Sequence, residues 1–201
     1  AYGRFFRFWT KEGISLRTAF FVDGYNLYYG LLHGTAYKWL DVRALLSTIL
    51  KVQDPRSEVS AIHYFTSLVK PDLASRGVES LTAQKTYIRA LVATNIVVTE
   101  GKHRLDKAMA PEYVNDQKAS RQQQVAIWSL EEKQTDVNIA IAMYRTAVKQ
   151  QELPEHEQIT QLVLVSNDSD FSPAIKAVRE DFPNMRIGVI APIRERAGGD
   201  R

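Results

Sequence analysis

The chain has 201 residues, 45% hydrophobic and 24% charged, enough to bury one full domain core with some peripheral additions. It contains no cysteine, which excludes disulfides, thiolate zinc sites and thiol catalysis. The net charge of +3 is already reached within residues 1–18, where Arg4, Arg7, Lys11 and Arg17 stand against Glu12, so the remainder is neutral and carries no broad basic footprint for nucleic acid.

No apolar run approaches the roughly 18 residues that span a bilayer, and the aromatic opening Phe5, Phe6, Phe8, Trp9 is interrupted by Arg7 and lacks the pattern of an export signal. A soluble, cytoplasmic protein without membrane contact is expected. Residues 1–17 read as a basic and aromatic arm, either a nucleic-acid arm or a segment that docks a protein partner or a second copy. Residues 18–201 read as the domain.

Ala19-Phe20-Phe21-Val22 ends at Asp23-Gly24, the pattern of a buried strand followed by a turn. Residues 25–32 suit a short helix. Asp41 is placed to cap a second helix whose apolar positions Val42, Leu45, Leu46, Ile49 and Leu50 recur at helical spacing. Residues 59–65 predict a second strand, Lys70-Pro71-Asp72 and Gly77 a loop, and residues 80–93 a helix with Leu81, Lys85, Ile88, Leu91 and Val92 on one face. Residues 96–99 predict a third strand. The pattern then weakens into a polar insertion at 101–128, whose ends at 102–109 and 124–130 suit either a hairpin or a disordered loop.

Thr135 reads as the N-cap of a helix running to about Lys149. After Pro154, residues 161–166 form the clearest buried strand in the chain, Pro173 opens another helix, and residues 185–190 make a last strand. Strands that alternate with helices, three of them nearly continuous in apolar residues, predict a three-layer α/β fold with a mostly parallel sheet covered on both faces. Such sheets bind ligands beyond the carboxyl ends of their strands, where the strand order reverses.

Three polar clusters fall at that edge. Asp23 ends the first strand, with Asn26 three residues later; Asp-Gly is also a common turn, so this pair alone decides little. Ser166-Asn167-Asp168-Ser169-Asp170 follows the strand at 161–166 and crowds together more polar groups than a helix cap needs. Asp136 and Asn138 open the helix at 135, where acids also satisfy the helix dipole. Like charges this close repel unless a cation neutralises them, and carboxylate oxygens are the ligands that Mg²⁺ and Mn²⁺ prefer. Topology brings the three clusters to one place, and that convergence is the main evidence for a site.

Strand-Asp-Gly-Tyr-Asn, then Glu-Lys-Gln-Thr-Asp-Val-Asn-Ile-Ala opening a helix, then strand-Ser-Asn-Asp-Ser-Asp-Phe resembles, in order and spacing, the NYN domain family of PIN-like nucleases and particularly its LabA-like branch. The resemblance covers roughly residues 18–192. It implies a PIN-like fold and metal-dependent ribonuclease activity, with Asp23, Asp136, Asp168 and Asp170 as the catalytic, metal-binding acids and Asn26 beside them. Many relatives carry glycine where this chain has Gln134 and Asn167, a change that bears on substrate fit. A divalent ion held there activates a water for attack on a phosphodiester. Lys133, Ser166, Asn167 and Ser169 are candidates to contact the substrate, although a solvated surface role is the ordinary one for Lys133. RNA is the expected substrate, with DNA open. The competing reading is a PIN-like module that binds RNA or protein without cleaving.

The four histidines, His33, His63, His103 and His156, lack metal-ligand spacing and read as structural or surface residues. Tyr25, Tyr28, Tyr29, Tyr37 and Trp39 suit either packing of a small helix or stacking on the bases of a single strand. A haloacid-dehalogenase-type phosphatase needs an acid where Tyr25 stands. An integrin-type metal site and an EF-hand both fail on the Asp-Ser-Asp-Phe-Ser that begins at Asp168.

Overall fold

The computed structural model describes residues 16–194, so most of the proposed arm, residues 1–15, lies outside the described residues. In chain order the elements are β1 (Arg17–Asp23), α1 (Gly24–Leu27) continued by a π-helical turn (Tyr28–Leu32), α2 (Val42–Gln53), β2 (Glu58–Thr66), α3 (Val78–Ala93), β3 (Val97–Glu100), β4 (Lys102–Pro111), β5 (Gln124–Lys133), α4 (Thr135–Gln150), β6 (Gln161–Val165), α5 (Ser172–Asp181) and β7 (Arg186–Ile190).

Five strands form one sheet in the order β3-β2-β1-β6-β7, and every neighbouring pair is parallel. Alternate residues of the central strands serve two cores. Phe20, Val22, Val163 and Val165 pack with Leu46 and Leu50 of α2 and Leu91 of α3. Ala19, Phe21, Leu162 and Leu164 pack with Ile139, Met143 and Ala147 of α4 and Val178 of α5. Burial on both faces explains why these strands are apolar throughout. From β1 the chain builds outward to β3, then returns through α4 to β6 on the other side, so the strand order reverses between β1 and β6.

Asp41 caps α2 as expected, accepting from the Ala44 amide at 2.9 Å. Two expectations need correction. Thr135 does not cap α4. Gln134 holds the cap position at φ +77 with no side-chain bond, and Thr135 lies inside the helix, where its buried hydroxyl bonds Glu132 at 2.5 Å and Ser67 at 3.3 Å. The inward face of α3 is also rotated from the expected one. Lys85 and Val92 are exposed, while Gln84 reaches inward to the Val69 amide, the Ser67 carbonyl and the Thr66 hydroxyl, and Tyr87 packs against the core.

Of the two alternatives for residues 101–128, the structure takes the hairpin. β4 and β5 pair antiparallel over ten residue pairs, from Lys102↔Lys133 to Pro111↔Gln124, as a separate two-stranded sheet. Among the described residues no helix is long and apolar enough to cross a membrane.

Candidate acidic site

Asp23 is the last residue of β1 and only 3% exposed, so its carboxylate must find its partners inside the protein. It finds three donors. Oδ1 accepts the Asn26 amide at 3.0 Å, and Oδ2 accepts Asn26 Nδ2 at 2.6 Å and the Ser166 hydroxyl at 3.2 Å. The tight turn that makes this possible needs Gly24: a Cβ there would stand 2.7 Å from the Phe65 carbonyl and 2.6 Å from the Tyr64 ring.

The same network extends across the switch point. Ser166, buried at the end of β6, accepts the Asp168 amide at 3.1 Å while donating to Asp23. Asp168 Oδ1 accepts the Asp170 amide at 2.9 Å, and the Asn167 amide reaches Asn26 Oδ1 at 3.4 Å. One chain of hydrogen bonds therefore ties the loop after β1 to the loop after β6. Asn167, Asp168, Ser169 and Asp170 are exposed, so Asp23 is the fixed member and the other acids face solvent.

Asp136 enters from the third direction, at the start of α4. Its pKa is raised, first by burial, then by the charges of Asp23, Asp168, Glu132 and Asp170. Every charge that acts on it is negative. The charges of the other three acids expected from the sequence thus all reach Asp136, and that of Glu132, which was given no role there, joins them. In the sequence Glu132 opens the Glu-Lys-Gln-Thr-Asp motif three residues before Thr135, whose hydroxyl it accepts.

Among the described residues no three acidic or histidine side chains, as placed, stand together closely enough to hold a metal ion. The donor set nevertheless fits a hard divalent cation in chemistry, because it consists of carboxylate oxygens whose mutual repulsion such a cation relieves. Lys133 ends β5 and is ion-paired with the exposed Glu131. Gln134, at φ +77, takes the left-handed conformation that glycine adopts without strain, whereas Asn167 is not among the residues of positive φ. Of these two positions, only Gln134 has a backbone conformation that glycine would take with less strain.

Beside the acids stands Tyr25. Its hydroxyl donates to the Ser67 carbonyl at 3.1 Å, and its pKa is raised by burial and by the Glu132 and Tyr29 charges. His103, at the root of the hairpin, meets the Tyr25 ring edge-on at 5.6 Å and holds the Leu68 carbonyl through Nδ1 at 2.8 Å. Gly101 gives the hairpin its close approach to the body, since a Cβ there would meet the Ser67 hydroxyl at 2.6 Å and the Lys133 carbonyl at 2.9 Å.

An all-parallel sheet with acids converging at its switch point is the architecture expected of a PIN-like nuclease. The chain belongs to the NYN domain family: the model for that domain matches residues 17–195. The family is of nuclease type. Among curated proteins, the chain is 35% identical over 198 residues to 6-hydroxy-3-succinoylpyridine 3-monooxygenase HspA of Pseudomonas putida (strain DSM 28022 / S16), a match that covers 88% of this chain and 60% of that protein. The chain therefore spans about three fifths of the length of that relative. No solved structure matched it.

Proposed function

We propose that the acidic edge is the reaction centre of a metal-dependent nuclease that hydrolyses phosphodiester bonds, in RNA first and in DNA secondarily. The observation that carries this reading is the hydrogen-bonded chain from Asp23 through Ser166 to Asp168 at the switch point with Asp136 opening α4 beside it, where burial and then the charges of Asp23, Asp168, Glu132 and Asp170 raise the Asp136 pKa. A protein keeps such repulsion where a bound cation, here Mg²⁺ or Mn²⁺, relieves it.

Asp23, Asp136, Asp168 and Asp170 would hold the ion, which when bound lowers the pKa of a coordinated water and offsets phosphate charge. The chain's own groups do the rest. Asp23 is immobilised by Asn26 and Ser166, so it supplies a fixed ligand. Asp170 or Asp168, both exposed in the loop after β6, would, instead of holding the ion, orient the attacking water and accept its proton. Ser166 acts by position, its hydroxyl being taken up between Asp23 and Asp168. Asn26, Asn167 and Ser169 line the same edge. Lys133 reaches a phosphate only by leaving Glu131, an exchange that costs little at the exposed end of a strand.

The identity to HspA favours a second reading, in which this chain shares that relative's chemistry on a hydroxypyridine. One experiment separates the two. The protein is incubated with labelled single-stranded RNA and DNA in Mg²⁺, Mn²⁺ or chelator, beside Asp23→Asn and Asp168→Asn, and in parallel with 6-hydroxy-3-succinoylpyridine, oxygen and an electron donor. The nuclease reading expects strand cleavage that chelator abolishes and that each variant lowers at least about a hundredfold. Cleavage that survives chelator and both substitutions defeats the reading. Oxygen gain by the pyridine with intact strands replaces it with the second, and binding of strands without any turnover makes the domain a non-catalytic module.

A further inference from the structure

Next to the acids, α1 and the turn after it carry a column of aromatic rings that the acidic chemistry does not use. Tyr29 stacks on Tyr25 with centroids 5.8 Å apart and ring planes at 30°, and His33 follows on Tyr29 at 5.5 Å and 36°. The spacing of four residues puts the three rings on one side of the turn. The inner end of the column is fixed. Tyr25 is held by the Ser67 carbonyl and flanked by His103.

The outer end is bare. Tyr29 is 59% exposed and His33 is exposed as well. Packing explains Tyr28, which lies against the core with Leu27 and Leu32, whereas Tyr29 and His33 are exposed. Tyr28 meets both edge-on, at 5.1 Å and 5.6 Å, and so braces them from the side. A cation completes the group. Arg194 donates through Nε to the Leu31 carbonyl at 2.9 Å and through its guanidinium to the His33 carbonyl, which holds its charge at the backbone of the residue that bears the last ring.

The column also stands beside the acids. Asn26 follows Tyr25 in the chain and bonds Asp23, and the charge of Glu132 acts both on the Tyr25 phenol and on Asp136. Rings already fixed by their neighbours lose little freedom when another ring stacks on them. Base-on-aromatic stacking of this kind tolerates any base and favours unpaired strands.

We propose that the column ends in a stacking platform, the outer face of His33 backed by Tyr29, for a planar heteroaromatic ring of the substrate, with Arg194 near enough to meet an anionic group attached to that ring. A nucleobase with its phosphate supplies both features. The proposal deepens the reading of the acidic edge as a reaction centre and rests on it for the orientation of the strand, while the platform itself is tested by binding alone.

Fluorescence anisotropy in chelator, where no cleavage proceeds, follows a single-stranded RNA octamer and an abasic strand of equal length on wild type, Tyr29→Ala and Tyr29→Phe. Tyr29→Ala is expected to weaken the base-bearing strand about tenfold, to leave the abasic strand unchanged, and to be rescued by Tyr29→Phe. Equal binding of the RNA by wild type and Tyr29→Ala, or equal weakening of both strands, overturns the platform whatever the cleavage assay shows. If neither strand binds but the hydroxypyridine of the second reading binds with the same dependence on Tyr29, the platform stands and the nuclease reading falls.

Discussion

Two regions meet at the acidic edge, and they are held together in different ways. The β1–β6 side is buried: Phe20, Phe21, Leu162 and Leu164 are at most 1% exposed, and Asp23 at their end is bonded to three donors. The β4–β5 hairpin contains no buried residue: Trp128 is 61% exposed and Met109 58% on one face, and Val125 and Ile127 are each 40% exposed on the other. The first region gets its order from apolar burial, and its site residue inherits that rigidity. The second has only a ladder of backbone bonds and a few pairs such as Lys107 over Trp128 at 5.6 Å, and a two-stranded sheet is marginal without further cover. A site built between them has one fixed wall and one adjustable one.

The largest test of this contrast is in packing. Phe21→Ala is expected to lower unfolding free energy by about 3–5 kcal/mol, because it empties a fully buried ring site, while Trp128→Ala changes it by less than about 0.5 kcal/mol. Urea denaturation measures both. A loss on Trp128→Ala comparable to that on Phe21→Ala would mean that the hairpin belongs to the cooperative core.

The acids extend the contrast into the site. Asp23→Ala strands the Asn26 side chain and the Ser166 hydroxyl in a buried turn and should cost about 1–3 kcal/mol, whereas Asp168→Ala, at an exposed position, should cost under about 1 kcal/mol. Equal losses would contradict the reading of Asp23 as the fixed member of the acidic set and Asp168 as its solvent-facing one.

The same division governs what could be read in the chain before the fold was known. β1 and β6 were plain because strands buried on both faces are apolar without interruption, and the acids that end them follow directly from strand position. The hairpin left two alternatives open. Its residues Lys102 to Lys133 mix charges with apolar groups on both faces, so no period-two signal separates an inside from an outside. Thr135 looked like a cap because threonine favours that position. The cap conformation actually falls on Gln134, and Thr135 is drawn inside the helix by Glu132 and Ser67, which are distant or unremarkable in sequence. Lys85 and Val92 fit a helical period but faced outward, because Gln84 is pulled inward by backbone groups of the loop after β2.

Gln134 gives a smaller test at the joint between the two regions. Gln134→Gly should raise stability by roughly 0.5–1 kcal/mol by removing left-handed strain, less the added freedom of the unfolded chain. A loss would show that the side chain has a role that the backbone does not reveal.

The smallest effect is one of pH. Burial and the Lys149 charge lower the pKa of His63, which stacks on Phe21 at 5.2 Å. The unfolded chain then takes up this proton more readily than the folded one, so the stability is full above the ordinary value of 6.5 and is lost as pH falls below it. His63→Gln should flatten that acid limb, and an unchanged slope would assign it to other groups.

The central claim is that the four acids act as one cation site, and Mn²⁺-dependent melting tests it most directly. Wild type is expected to gain melting temperature with Mn²⁺, as an ion bound only by the folded state requires, and Asp136→Asn to lose most of that gain. No shift in wild type, or an equal shift in Asp136→Asn, would contradict a shared site.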